Sequence, residues 1–201
     1  MDVLILALLL GGVAFFFQRR DEHRRIALLG SHLGQYQIEK LMETLTEGYM
    51  RALGEADPAR QQQIWNMLST TEATLCEQFK LFANEFARLD AGQTRSSKLP
   101  WSIYYSGRLF PGSTYDFRAA LNIHARGICL AVNRGSDVPV KDKAFTVLAE
   151  LFLMQHSCHW FCKTKAVAST RLVMRHQTAY TKVVESVMPT TRQAYTALVA
   201  R

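Results

Sequence analysis

Residues 3–17 read VLILALLLGGVAFFF, an unbroken apolar run that the charged stretch QRRDEHRR follows at residues 18–25. A signal peptide carries positive charge before its apolar core and small residues after it. Here the only charged side chain before the run is Asp2, and the run ends in three phenylalanines. We therefore predict that residues 1–18 are a single-pass transmembrane anchor.

The run is short for a membrane span. Its fifteen residues cover about 22 Å at ~1.5 Å per residue, against a hydrocarbon core of ~30 Å. The long side chains of Arg19 and Arg20 can reach the headgroups, and local thinning of the bilayer can absorb the remaining mismatch. A helix buried in an assembly is the main alternative. An interfacial helix is less favoured, because it would need a polar face that this run lacks.

The arginines that follow the run predict its orientation. Arg19, Arg20, Arg24 and Arg25 all lie on the C-terminal side. The positive-inside rule then places the N-terminus outside and the rest of the chain in the cytoplasm, at a bacterial inner membrane. Cytosolic thiols stay reduced, so the same orientation predicts free thiols rather than disulfides. The four cysteines are Cys76, Cys129, Cys158 and Cys162.

Helical periodicity dominates the rest of the chain and predicts an all-α fold. Residues 19–53 contain no proline and predict one long helix that continues the anchor without a linker. Asp57 followed by Pro58 predicts the start of a second helix, because Asp caps free amides and Pro needs no hydrogen bond at the first position. This helix is expected to end near Leu89. The short connection favours an antiparallel helical hairpin.

Glycine, proline and serine interrupt the helical pattern over residues 91–114, which predicts a loop. The loop is rich in aromatic and basic side chains, which indicates either docking of a partner or packing onto the hairpin. A short hairpin around Ser106 and Gly107 is an alternative. The candidate partner-binding residues are Trp101, Tyr104, Tyr105, Arg108 and Phe110.

The C-terminal part is expected to form a further helical bundle. A helix should start at Thr114 or Tyr115 and end at Arg134, and residues 140–188 should form one long helix or two with a break near residues 163–169. A last short helix should begin after Pro189. The predicted organisation is an anchor at residues 1–18, a long helical hairpin at 19–90, an aromatic and basic loop at 91–114, and a basic helical region at 115–201 that packs on the hairpin.

The net charge of +7 is unevenly distributed, since residues 91–201 carry a net +10 and residues 55–90 a net −3. A basic half close to a membrane favours anionic lipid, nucleic acid or an acidic partner. Pairing with the chain's own acidic segment, or a solvated basic face, is the alternative. The arginines that recur every eight residues are candidate phosphate or lipid ligands. They are Arg118, Arg126 and Arg134.

The densest group of potentially reactive side chains is Gln155-His156-Ser157-Cys158-His159-Trp160-Phe161-Cys162. Spacings of three and four on a helix bring pairs of ligands to one face, as zinc and haem sites require. However, Cys158 and His159 lie about 100° apart on a helix, so all four cannot share one face well. The alternative is that these residues pack in the core. The candidate metal ligands are His156, Cys158, His159 and Cys162.

The chain contains no phosphate-binding glycine loop, no GxSxG and no HExxH motif, which weighs against a standard hydrolase, kinase or dehydrogenase. We therefore predict a non-enzymatic scaffold or accessory subunit of a membrane complex, with no cofactor. Its expected partners are the membrane and other proteins of that complex. A second copy is also possible through Gly30 and Gly34. The alternatives are a tethered binder of anionic lipid or nucleic acid, and a metal or haem sensor.

Overall fold

The computed structural model describes residues 2–98, 111–135 and 138–200, and most of these residues are helical. The all-α class is therefore confirmed. The helices are α1 (Asp2–Leu33), α2 (Ile38–Gly54), α3 (Pro58–Phe86), α4 (Phe117–Val132), α5 (Val140–Cys162), α6 (Lys165–His176), α7 (Tyr180–Ser186) and α8 (Pro189–Val199). The chain also forms two short strands, β1 (Arg95–Ser97) and β2 (Thr114–Asp116), between α3 and α4.

Helix α1 carries the apolar run and the charged stretch after it without interruption. Its end at Leu33 corrects the prediction of one helix over residues 19–53. The chain turns at residues 34–37, where the amide of Gly34 still donates to the Gly30 carbonyl at 2.9 Å. The amide of Gln37 donates instead to the side chain of Gln78 on α3, at 2.7 Å. This contact with another helix fixes the turn, so local periodicity could not predict it.

The membrane-spanning part of the predicted fold is not supported. Among the residues that the structure describes, no helix is long and apolar enough to cross a membrane. The physical reason is the abrupt change at Gln18: the apolar run stops there, and the arginines that follow cannot lie in hydrocarbon without a large cost.

Helices α2 and α3 form an antiparallel hairpin, which is shorter than the hairpin predicted for residues 19–90. Helix α3 begins as expected, with the Asp57 carboxylate accepting from the amide of Ala59 at 2.9 Å and Pro58 at the first position. The two helices approach closely at Gly48, where any Cβ would collide with the side chain of Leu68. Near the same level, Tyr49 donates to the buried carboxylate of Glu72.

The two strands were not predicted. They pair antiparallel, with Arg95 opposite Asp116 and Ser97 opposite Thr114. The indole of Trp160 on α5 donates to the carbonyl of Ser97 at 2.7 Å, so a distant helix stabilises this small sheet. Because β2 occupies residues 114–116, α4 starts at Phe117 rather than at Thr114 or Tyr115.

The long C-terminal stretch is divided twice. The break between α5 and α6 falls at residues 163–164, within the predicted interval, and Thr164 caps α6 through the amide of Val167. A second break follows at Gln177, whose φ of 52° lies in the left-handed region. The last helix starts at Pro189 itself, with Met188 as its N-cap residue, rather than after Pro189 as expected.

The core lies where α3, α4 and α5 meet. The rings of Phe117 and Phe161 stack at 4.3 Å, and Phe86 packs edge-on against both. Helix α4 is the central element, because it packs between α3 on one side and α5 and α8 on the other. Most of its side chains are buried.

Candidate functional site

The first half of α1 presents apolar side chains to solvent. Eight of them between residues 5 and 16 are 52–69 % exposed. They are Ile5, Leu6, Leu8, Leu9, Leu10, Val13, Phe15 and Phe16. An exposed apolar surface this continuous is typical of a region that binds another apolar phase.

A basic segment follows directly on the same helix. Its outward face carries an open groove lined by Phe16, Arg19, Arg20, His23, Arg24 and Ala27. The guanidinium of Arg19 lies over the Phe15 ring, 5.2 Å from its centroid. Aromatic and cationic side chains therefore lie side by side where the apolar run ends.

The opposite face of α1 holds the helix against the domain. Arg25 donates to the carbonyl of Phe161 at the end of α5, at 3.2 Å, and pairs with Asp21 at 2.9 Å. Glu22 faces Lys163 at 3.7 Å. The acidic side chains of this segment are therefore used by Arg25 and Lys163. They do not neutralise the arginines of the outward face.

The predicted metal ligands are not brought together as a site. Among the described residues, no group of three or more His, Cys, Asp or Glu side chains is placed to hold a metal ion. His156 lies 3.1 Å from the Ser169 hydroxyl and stacks on Tyr180, whereas the thiol of Cys158 contacts the sulfur of Met154. These contacts agree with the alternative of core packing.

The thiols of this group are also poorly suited to reaction. Burial raises the pKa of Cys158 far above its ordinary value, and it raises the pKa of Cys162 to about 11. The nucleophilic and metal-binding form of cysteine is the thiolate. Both side chains are therefore protonated at neutral pH.

The other two cysteines form a disulfide, which corrects the prediction of four free thiols. Cys76 on α3 and Cys129 on α4 are bonded, with their Cα atoms 5.1 Å apart. Both are buried. The free thiols were predicted from the expected compartment, and nothing in the sequence indicates that Cys76 and Cys129 lie close together in the fold.

The predicted phosphate-binding arginines do not form one stripe. Eight residues on a helix correspond to a rotation of about 80° beyond two full turns, so successive members point in different directions. Arg118 is bound to the Asp116 carboxylate and to the carbonyl of Leu89, at 2.7 Å and 2.6 Å. Arg134 lies beyond the end of α4 and donates to Thr146. Arg126 is exposed.

The five predicted partner-binding residues lie outside the described residues. They are Trp101, Tyr104, Tyr105, Arg108 and Phe110. The hairpin expected around Ser106 and Gly107 also lies outside the described residues.

A buried polar cluster that the sequence did not predict joins α4, α5 and α8. His124 Nε2 and the Ser157 hydroxyl are 2.9 Å apart, and the same hydroxyl lies 3.3 Å from that of Tyr195. Such a pair is the arrangement of an activated nucleophile. However, both residues are fully buried, and burial lowers the pKa of His124 to about 3. The pair is therefore a weak base that a substrate cannot reach in this fold.

A buried carboxyl group lies two turns earlier on α5. Glu150 accepts from the amide of Met188 at 2.9 Å, at the start of α8. Its second oxygen lies beside the Thr191 hydroxyl above Gly127, where any Cβ would collide with both groups. Burial raises the pKa of Glu150 to about 7, although the Thr191 hydroxyl and the Met188 amide lower it in part. The only sign of this contact in the sequence is Gly127, because a glycine inside a predicted helix often marks close packing.

Comparison with known proteins gives no family assignment. No protein-family model, curated protein or solved structure matches the chain.

Proposed function

We propose that this chain is a non-enzymatic helical scaffold that attaches to a membrane through the first half of α1. The observation that supports the proposal is the exposure of the eight apolar side chains between residues 5 and 16. Their transfer from water to an apolar phase is favourable by roughly 25 cal/mol for each Å² removed from water.

The distribution of these side chains favours lipid over a protein partner. At 100° per residue they cover about 220° of the helix circumference, whereas a helix packed on one protein surface needs an apolar stripe of ~100°. Lipid can surround a helix, but a single protein partner covers one side. Residues 5–16 are about 18 Å long, so the segment would enter the apolar layer without crossing it.

A scaffold role is supported by the state of the nucleophiles in the described residues. Ser157 beside His124 is sealed in the interior, and the thiols of Cys158 and Cys162 are protonated. The domain behind α1 is instead a set of closely packed helices, which can hold partner proteins at a membrane and raise their effective concentration.

The disulfide supports an oxidising compartment for the domain, opposite to the cytoplasmic side expected from the arginines. Disulfides such as Cys76–Cys129 persist in secreted and periplasmic proteins and are rare in the cytosol. The positive-inside rule applies to segments that cross the membrane, and the attachment proposed here does not require crossing.

Acid quenching of cells followed by alkylation and mass spectrometry tests whether the domain lies in an oxidising compartment. We expect Cys76 and Cys129 to be linked and Cys158 and Cys162 to be alkylated, whereas four alkylated cysteines would contradict it.

Flotation with phosphatidylcholine vesicles tests the attachment. The full chain should float with the vesicles, and the variant Leu8→Asp/Leu9→Asp should lose more than 90 % of this association, because each Asp costs about 3 kcal/mol in a bilayer. The matched control is Leu81→Asp on α3, which replaces an equally exposed leucine, 58 % exposed, and should float like the unaltered chain. A chain that stays with the unbound fraction, or a double variant that floats normally, would overturn the proposal.

A further inference from the structure

We propose that three arginines next to the apolar segment form a binding surface for the headgroups of anionic phospholipids. This inference rests on the proposed membrane attachment and names the lipid class that it prefers. The arginines, called here the basic border, are Arg19, Arg20 and Arg24 of α1.

The arginines of the basic border are exposed and uncompensated. Asp21 pairs with Arg25, and Glu22 faces Lys163 on the side of the domain. No ion pair between described residues involves Arg19, Arg20 or Arg24. Three adjacent positive charges without a counter-charge in the described chain favour binding of an anionic partner.

The distance from the apolar segment matches the headgroup layer. Arg24 is seven residues after Phe17, which is about 10 Å along the helix axis. The headgroup region extends the bilayer by roughly 5–8 Å on each side of its hydrocarbon core. The long arginine side chain covers the difference, and the field of an anionic surface reaches about 8 Å further at physiological salt.

The same surface fits lipid better than nucleic acid. The basic border is continuous with Phe15, Phe16 and the leucines before them, and the Phe16 ring lines the groove between the arginines. A duplex would neutralise the arginines but would leave the apolar side chains in water. An anionic bilayer satisfies both, since the rings enter the apolar layer and the guanidinium groups bind phosphate bidentately.

Binding of the full chain to two kinds of vesicle tests the inference. The probes are vesicles of phosphatidylcholine alone and vesicles with a 30 % share of phosphatidylglycerol. Each arginine near an anionic surface strengthens binding about fivefold at low salt, so Arg19→Gln/Arg20→Gln/Arg24→Gln should reduce the preference for anionic over neutral vesicles about 125-fold. The control is Arg51→Gln/Arg60→Gln, which removes two exposed arginines near the tip of the α2–α3 hairpin and should not change this preference. Circular dichroism of each variant checks that the fold is retained.

The outcomes separate this inference from the proposed function. Equal binding to both kinds of vesicle overturns the anionic preference while the membrane attachment stands. Absence of binding to either kind overturns both. A preference that survives Arg19→Gln/Arg20→Gln/Arg24→Gln overturns the assignment to the basic border. Two competitors are added to the anionic vesicles. Displacement by duplex DNA at equal phosphate concentration overturns the choice of lipid, and displacement by millimolar inorganic phosphate shows that the surface binds free anions instead.

Discussion

The first half of α1 and the central helix α4 are both rich in apolar side chains, yet one is exposed and the other is enclosed. Leu8 and Leu9 of α1 are 69 % and 62 % exposed, whereas Ile128 of α4 is fully buried. Helix α4 even buries His124, an imidazole, and it borders the buried carboxyl group of Glu150. Hydrophobicity alone therefore does not decide which helix is enclosed.

The difference lies in the partners that the chain itself supplies. Helix α4 is fixed on one side by the disulfide to α3, and on the other by the polar cluster shared with α5 and α8. The first half of α1 has no comparable neighbour in the described structure, because its contacts with the domain begin at Asp21, Glu22 and Arg25. Helix α4 is therefore enclosed by other elements of this chain, whereas the first half of α1 is left exposed by the described part of the chain.

The largest expected effect on the free energy of unfolding follows from loss of the disulfide between α3 and α4. Its two cysteines are 53 positions apart, and opening a loop of this size costs about 4 kcal/mol in the chain-entropy model. We expect Cys76→Ser/Cys129→Ser, or reduction of the unaltered protein, to lower the free energy of unfolding by this amount in urea titrations. Cys162→Ala is the control and should cost less than half as much. If the free energy of unfolding did not change on reduction, the packing of α3 on α4 would not depend on the covalent bond between them.

The second effect concerns the polar side of α4 and depends on pH. The pKa of Glu150 is about 7 in the folded chain, against 4.5 as its ordinary value. The unfolded chain therefore releases this proton at lower pH than the folded chain, so folding loses stability as pH rises from 4.5 to 7. Glu150→Gln should remove this loss and make the protein more stable at pH 8 by up to about 3 kcal/mol, with little change at pH 4.

Urea titrations at the two pH values measure this difference. The buried histidines titrate equally in both proteins and cancel in the comparison. Glu77→Gln, at a residue exposed on α3, is the matched control and should show no such dependence on pH. If Glu150→Gln changed the free energy of unfolding equally at pH 4 and pH 8, the folded pKa of Glu150 would not be raised. Glu150 would then accept from the Met188 amide as a charged carboxylate that caps α8.

A smaller effect is expected for Gly127→Ala. The added methyl group would collide with the Thr191 hydroxyl and the Glu150 carboxyl, at a cost of about 1–3 kcal/mol that the better helix propensity of alanine offsets in part. Gly30→Ala on α1 is the control, because a Cβ there meets nothing within 4 Å. It should stabilise the protein by up to about 1 kcal/mol. Equal thermal shifts for the two variants would contradict the close packing of α8 on α4.

The smallest effect is expected in the first half of α1. Leu9→Ala should change the free energy of unfolding by less than about 0.5 kcal/mol, because the side chain is exposed. The same truncation at Ile128 on α4 should cost about 2–5 kcal/mol. Thermal unfolding of the two variants in vesicle-free buffer gives the comparison directly. A large loss for Leu9→Ala would mean that α1 packs on a second copy of the chain.

The sequence predicted those parts of the fold that depend on neighbouring residues. Asp57 and Pro58 start α3 because capping is a local interaction, and the break after Cys162 follows a local change in composition. The features that it missed depend on contacts between distant residues. The turn at residues 34–37 is fixed by Gln78, and strand β1 is fixed by Trp160.

The candidate site was predicted in part, for the same reason. The apolar run and the arginines after it are adjacent in the sequence and were recognised directly. The division of α1 into an outward face with Arg19 and Arg20 and an inward face with Arg25 was not predicted, because it depends on contacts with α5. The guanidinium of Arg118, a candidate phosphate ligand, is bound by Asp116 two residues away, and the spacing of the arginines gave no sign of this pairing.

Hydrogen–deuterium exchange of the full, oxidised chain with and without phosphatidylcholine vesicles tests the central claim most directly. Membrane attachment through the first half of α1 predicts slower exchange confined to residues 5–16, with α4 and the α2–α3 hairpin unchanged. Unaltered exchange over residues 5–16, or protection located in the hairpin instead, would contradict it.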